Sequence, residues 1–232
     1  MDFENFLNSE IKENQVGIVW LNKYSSILLK TRENLILFDP MGISNDILAK
    51  LNITILIISH EHFDHLDRAN LSYILSKQLP HVLATPPPSR WARGFIKDQK
   101  FLHVVKPGDT LNLNNITIEI FPGNHPCGVP ATFLIKTEDD IRIYHAIDST
   151  IFDDMKKLQS RNIDIAILPI GIAPGTSPSI AKEMTKIIKP RIVIPHHAVE
   201  GFLEFKELVE KEIADVSVAI LKQMEPYIYK KE

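Results

Sequence analysis

No disulfide can form within this chain, because its 232 residues include one cysteine, Cys127. That excludes a small secreted domain held together by cross-links. No apolar run approaches the ~20 residues that a membrane-crossing helix needs. The segment Met1–Gln15 is polar and acidic, without the basic start and apolar core of a secretory signal. A cytoplasmic protein that does not enter membranes is the expectation. An excess of positive charge is also lacking: 26 Lys and Arg stand against 29 Asp and Glu, for a formal charge of −3. A broad cationic face for nucleic acid or anionic lipid is therefore not expected. What remains is an ordinary globular balance, 44% hydrophobic and 24% charged. No stretch reads as a flexible linker, so residues 1–232 are expected to form a single domain.

Short runs rich in Ile, Leu and Val alternate with longer amphipathic stretches, the pattern of an α/β chain. Strands are expected at Val16–Leu21, Ser26–Lys30, Leu35–Asp39, Ile53–Ser59, Ile116–Phe121, Thr132–Lys136, Ile141–His145, Ile163–Pro169, Ile192–Pro195 and Val216–Leu221. Helices are expected at Asp67–Lys77, Ser89–Asp98, Thr150–Ser160, Pro178–Ile188 and Gly201–Ile213, with Asp67 and Ser177 as N-caps and Pro86–Pro88 as a break. The segment Ile27–Asp39 resembles Phe133–His145: each reads as two strands joined by a short charged turn, then a helical stretch and an apolar strand. Two related sheet-plus-helix halves, packed face to face, would account for this.

The most informative segment is Ser59-His60-Glu61-His62-Phe63-Asp64-His65-Leu66-Asp67. In extended backbone, His60, His62 and Asp64 share one face. Two imidazoles at that spacing can hold one metal ion, while His65, one residue on, can reach a second. Imidazole and carboxylate ligands suit Zn²⁺, and also Mn²⁺ or Fe. At this chain's His and Asp frequencies, such a block would arise by chance roughly once in a thousand sequences of this length. A helical His-Glu-x-x-His site is excluded because its second His would fall on Asp64, and a zinc finger is excluded by the single cysteine. More donors are expected downstream. His125 lies in the loop Gly123–Gly128, Asp148 follows a strand and can bridge ions or cap a helix near Thr150, and His196-His197 ends another strand.

With these segments in place, the chain resembles the metallo-β-lactamase superfamily from Trp20 to about Leu221. The later pieces resemble the branch that includes L-ascorbate-6-phosphate lactonase: Leu35–Pro40, Tyr144–Asp148, Leu168–Gly171 with Pro178 and Ala181, and Ile194–His197. The resemblance implies a four-layer αββα sandwich of two mixed sheets with two divalent metal ions at one edge, zinc first and manganese or iron as alternatives. It implies that His60, His62 and His125 hold one ion, that Asp64, His65 and His197 hold the other, and that Asp148 bridges them. Asp39, in the family's Asp-Pro position, would orient a ligand imidazole. The chain departs from that branch at Asn22-Lys23, where Gly-His is usual, at Ile147, where Gly is usual, and across Ile172–Ser177; these lie where substrate contacts are expected.

The function this implies is a hydrolase acting on a small ester, lactone or phosphoester. Two cations sharing one water acidify it, and the resulting hydroxide attacks carbon or phosphorus, with Asp64 and Asp148 at the reacting centre. Lys23 is the candidate for an anionic substrate group, with His145 and His196 as further candidates at the substrate. Cys127 reads as a small packed side chain. The alternatives are a phosphodiesterase or nuclease acting on nucleic acid or phospholipid, which the balanced charge disfavours, and a non-catalytic metal-bearing binding protein. A homo-oligomer is compatible with everything in the sequence.

Overall fold

Alternation along the apolar strands builds three hydrophobic layers. The computed structural model describes residues 1–232. Its strands are β1 (Gln15–Trp20), β2 (Ile27–Lys30), β3 (Leu35–Phe38), β4 (Ile55–Ile58), β5 (His81–Ala84), β6 (Leu102–Val104), β7 (Thr110–Leu113), β8 (Ile116–Pro122), β9 (Ala131–Lys136), β10 (Arg142–His145), β11 (Ile165–Pro169), β12 (Ile192–His196), β13 (Ser217–Val218) and β14 (Tyr227–Lys230). One residue parity faces the other sheet: Val16, Ile18, Ile55 and Ile57 meet Ile118, Ile120, Ile165 and Ile167 in a central core. The opposite parity, Val19, Leu56 and Ile58 on one side and Ala166, Leu168 and Val193 on the other, packs outwards. Helices α1 (Phe3–Asn8), α2 (Asn45–Leu48), α3 (Arg68–Lys77) and α4 (Pro86–Phe95) cover the first sheet, and α5 (Pro178–Ile188) and α6 (Phe202–Glu212) cover the second. The result is the αββα sandwich. No helix is long and apolar enough to cross a membrane.

The two sheets are built alike. The first runs β14-β1-β2-β3-β4-β5-β6 and the second β7-β8-β9-β10-β11-β12-β13. In each order the first three pairings are antiparallel and the last three parallel. The resembling segments hold equivalent places: β2 pairs β3 with Ile27 opposite Phe38, and β9 pairs β10 with Phe133 opposite His145.

Several expectations are corrected. The strand expected to reach Asp39 ends at Phe38, because Asp39 turns to φ 41°. The one expected over Val216–Leu221 shrinks to β13, since the chain leaves the sheet edge and the Met224 N–H donates to the Trp20 carbonyl. Pro86–Pro88 opens α4 instead of breaking the chain before it: proline lacks the N–H that a first helical turn leaves unpaired anyway. The Thr150–Ser160 stretch is a 3₁₀ segment at Asp153–Arg161, so Asp148 caps no helix. Strands β5, β6, β7 and β14 and helices α1 and α2 were not expected from the sequence.

Candidate metal centre

Every sequence-predicted metal donor follows the C-terminal end of a strand. His60 to His65 follow β4, His125 follows β8, Asp148 follows β10, and His197 follows β12. Strand β4 runs parallel to β3, and β10, β11 and β12 run parallel to one another. Strand β8 is antiparallel to β9, which is antiparallel to β10, so β8 and β10 point the same way. These loops therefore meet at one edge of the sandwich.

Two donor groups form there. His60, His62 and His125 make one; Asp64, His65, Asp148 and His197 make the other; within each, one ligand atom per residue lies within 4.8 Å of the rest. His62 Nδ1 is 3.1 Å from His60 Nε2 and 3.0 Å from His125 Nε2. Zinc–nitrogen bonds of about 2.0–2.1 Å at a tetrahedral angle put neighbouring nitrogens about 3.3 Å apart, so this cluster has the spacing of a ligand set. The backbone does not reach it by extended alternation as expected. It bends at Glu61 and His62 and turns over Phe63–His65, with His65 N–H and Leu66 N–H donating to the His62 carbonyl.

Asp148, a member of the second group, also approaches the first. Its Oδ2 is 3.1 Å from His65 Nε2, 3.6 Å from His125 Nε2 and 3.9 Å from His60 Nε2, and its Oδ1 is 3.2 Å from His197 Nδ1. Asp64 Oδ2 is 3.4 Å from His197 Nε2. Despite this proximity, His65 Nε2 and both His197 nitrogens are buried without an aligned hydrogen-bond partner. Orphaned buried nitrogens are rare in proteins, and here they face carboxylates around a common point, as cation ligands do.

The electrostatics fit the same reading. Burial, then the neighbouring His65, holds His60 well below the ordinary imidazole range, and burial lowers His125; both are in the neutral form that ligates metals. Burial also opposes charge on His65, yet the carboxylates of Asp39 and Asp148 outweigh it and push His65 up to about 10. Burial would raise Asp148, but His65 and His197 hold it far below the usual carboxylate range. Asp64 is lowered too, His197 and His65 prevailing over its burial. The acidic pocket thus attracts positive charge, which a cation would satisfy.

Supporting contacts lock the ligands. Asp39 Oδ2 is 2.7 Å from His65 Nδ1, while Ser59 donates its N–H to Asp39 Oδ1 at 2.7 Å and its hydroxyl to Oδ2 at 2.6 Å. Ser25 Oγ donates to Asp148 Oδ1 at 3.2 Å. The Gly128 N–H donates to Glu61 Oε1 at 2.6 Å, tying the His125 loop to the His60–His65 loop. The sequence reading missed Glu61 and Ser25; the absence of a side chain at Gly128 is what lets Glu61 approach, since a Cβ there would sit 2.7 Å from Pro87 Cγ and 2.9 Å from Glu61 Oε1.

The remaining candidates scatter. His145 and His196 are fully buried, their rings 4.9 Å apart edge to face. Burial holds His145 down at about 3 and His196 well below its ordinary range, so neither is charged near neutral pH and neither stands at the open face. This argues against placing either at the substrate. Lys23 is exposed on the loop after β1, its Nζ 5.2 Å from the centre of the Tyr24 ring. Cys127 is half-buried, and burial, with Glu61, pushes its thiol up to about 11, which suits packing and not nucleophilic attack.

Comparison with known proteins agrees with this architecture. Residues 17–197 match the family model described as the beta-lactamase superfamily domain. A UPF0173 metal-dependent hydrolase of Desulforamulus reducens is 30% identical over 193 residues, covering 75% of this chain and 81% of its own. A UPF0173 protein of Pyrococcus abyssi is 26% identical over 225 residues, covering 90% and 97%. The solved structure of Igni18, a metallo hydrolase from Ignicoccus hospitalis, superposes with a TM-score of 0.80 at 21% identity over 94% of this chain and 100% of that one. The chain thus belongs to the metallo-β-lactamase superfamily and is a metal-dependent hydrolase.

Proposed function

We propose that the chain is a binuclear hydrolase of a small ester, lactone or phosphoester. One observation carries this reading: Asp148 stands within 3.9 Å of both donor groups, 3.1 Å from His65 Nε2 and 3.6 Å from His125 Nε2. His60, His62 and His125 would hold one ion, Asp64, His65 and His197 the other, and Asp148 both. Zinc is the first choice, with manganese or iron as alternatives. When bound, such ions supply Lewis acidity and make water nucleophilic near neutral pH.

The chain's own residues do the rest. Asp148 and Asp64 hold negative charge in a buried pocket and so draw cations into it. Asp64, ionised and buried beside His197, is the carboxylate assigned to accept a proton from an attacking water. Asp39 fixes His65 through Nδ1 and leaves Nε2 free for ligation. Protein purified without chelator should contain close to two transition-metal ions per chain, and it should turn over members of a panel of lactones, aryl esters and phosphodiesters supplied with Zn²⁺ or Mn²⁺. Asp148→Ala should lose turnover by more than about 100-fold. A metal-replete preparation that binds no metal would reject the site, and unchanged turnover in the variant would remove the bridging role.

A further inference from the structure

We propose that the groove beside His197 binds an organic anion, with an apolar body along Trp20 and Phe202 and an acidic head at Lys23 and Lys222. This rests on the hydrolase reading and names the class of substrate. The groove has a volume of about 640 Å³, and its lining includes Tyr24 and Val199, the latter two residues past His197. The Tyr24 ring is 5.9 Å from the His197 ring and 6.5 Å from that of Phe63, so the groove shares a wall with the metal centre.

That wall is preformed. Trp20 Nε1 donates to the Tyr24 carbonyl at 2.8 Å, the Tyr24 N–H donates to Asn22 Oδ1 at 2.9 Å, and Asn22 Nδ2 donates to the Met41 carbonyl at 2.6 Å. Trp20 and Leu221 are buried, and Trp20 packs on Phe202 with ring centres 5.6 Å apart. The lining thus offers apolar area, together with two ammonium groups and no carboxylate; Glu225, 3.6 Å from Lys222, lies outside it.

The neighbouring cavity supplies the contrast. It measures about 730 Å³, shares Ala198, Val199 and Phe202 with the groove, and carries Glu200 and Glu204 without any Lys or Arg. An anionic head beside the metal centre is therefore repelled on one side of Val199 and attracted on the other.

Binding can be read without turnover. The chain has two tryptophans, so Trp91→Phe leaves Trp20 as the sole indole, inside the groove. The metal-loaded variant is titrated with 4-phenylbutyrate, 3-phenylpropyl phosphate and the uncharged 4-phenylbutanol while Trp20 fluorescence is followed. At low salt the anions should bind at least about fivefold more tightly than the alcohol, and the advantage should shrink in about 0.5 M salt. The two anions differ in head group and show whether carboxylate or phosphate is preferred. Adding Lys23→Met and Lys222→Met, both at solvent-exposed positions, should bring anion and alcohol affinities together. Equal binding before those changes, a preference that survives them, or no response of Trp20 to any ligand would overturn the proposal. None of these outcomes bears on metal stoichiometry or on the turnover panel, so the groove and the hydrolase reading can fail separately.

Discussion

Asp39 is buried, and its two oxygens serve three groups: the Ser59 amide, the Ser59 hydroxyl and His65 Nδ1. Asp39→Asn keeps the shape but cannot satisfy all three, so His65 loses its fixed tautomer. Metal affinity, followed by competition with a chromophoric chelator, should fall by about 10- to 100-fold; an unchanged affinity would mean that His65 needs no such partner. Glu61 acts at longer range, through the Gly128 amide and so through the His125 loop. Glu61→Ala should weaken binding of one ion more than the other, giving a biphasic competition curve, because His125 belongs to only one donor group. Much of this centre was legible in the sequence, since three histidines and an aspartate packed into six residues have no common structural use. Asp39 was legible through its Asp-Pro setting. Ser25 and Glu61 were not, because a serine or glutamate in a loop carries no sign of the distant group it bonds.

At the scale of strands and helices, the site lies where regular structure stops. Asp39, Ile147 and His197 follow the ends of β3, β10 and β12, and each has φ between 41° and 53°. Such a conformation is costly for a β-branched residue like Ile147, and strain of this kind gathers at functional sites. A glycine would bear it without cost, whereas here burial among the central core residues holds Ile147 in place. Expectation failed where the apolar signal thins out. Strand β7 alternates exposed and half-buried residues at a sheet edge, and β6 is three residues long. The proline run of α4 looked like a break because proline excludes helix interiors and welcomes helix starts. Close packing makes one element testable. A Cβ on Gly17 of β1 would fall 2.3 Å from Phe6 Cε2, so Gly17→Ala must displace the buried Phe6 ring by which α1 packs on the sheet. The variant should lose about 1–3 kcal/mol in chemical denaturation; wild-type stability would show that α1 docks loosely.

For the whole molecule, the notable fact is that the donors are divided between the sheets. His60, His62, Asp64 and His65 come from the first, and His125, Asp148 and His197 from the second. Ions bound at this edge would tie the two halves together and stabilise only the assembled state. A chelator should therefore lower the melting temperature by about 10 °C, taking binding worth about 4 kcal/mol and the usual scaling for a chain of this size. A transition unmoved by chelation would separate the donors from any role in stability. The similarity of the two halves was visible in Ile27–Asp39 and Phe133–His145, while their docking was not, because nothing in a strand's own residues names its partner across the core.

Dividing the donors in this way also sets an order of events. With only its first half folded, the chain presents His60 with His62, or Asp64 with His65, and so at most two donors to either ion. Firm capture must wait until the second half has closed over the first. Loading with metal would then certify a finished molecule, and an immature chain would pass its ions on instead of trapping them in a half-built pocket.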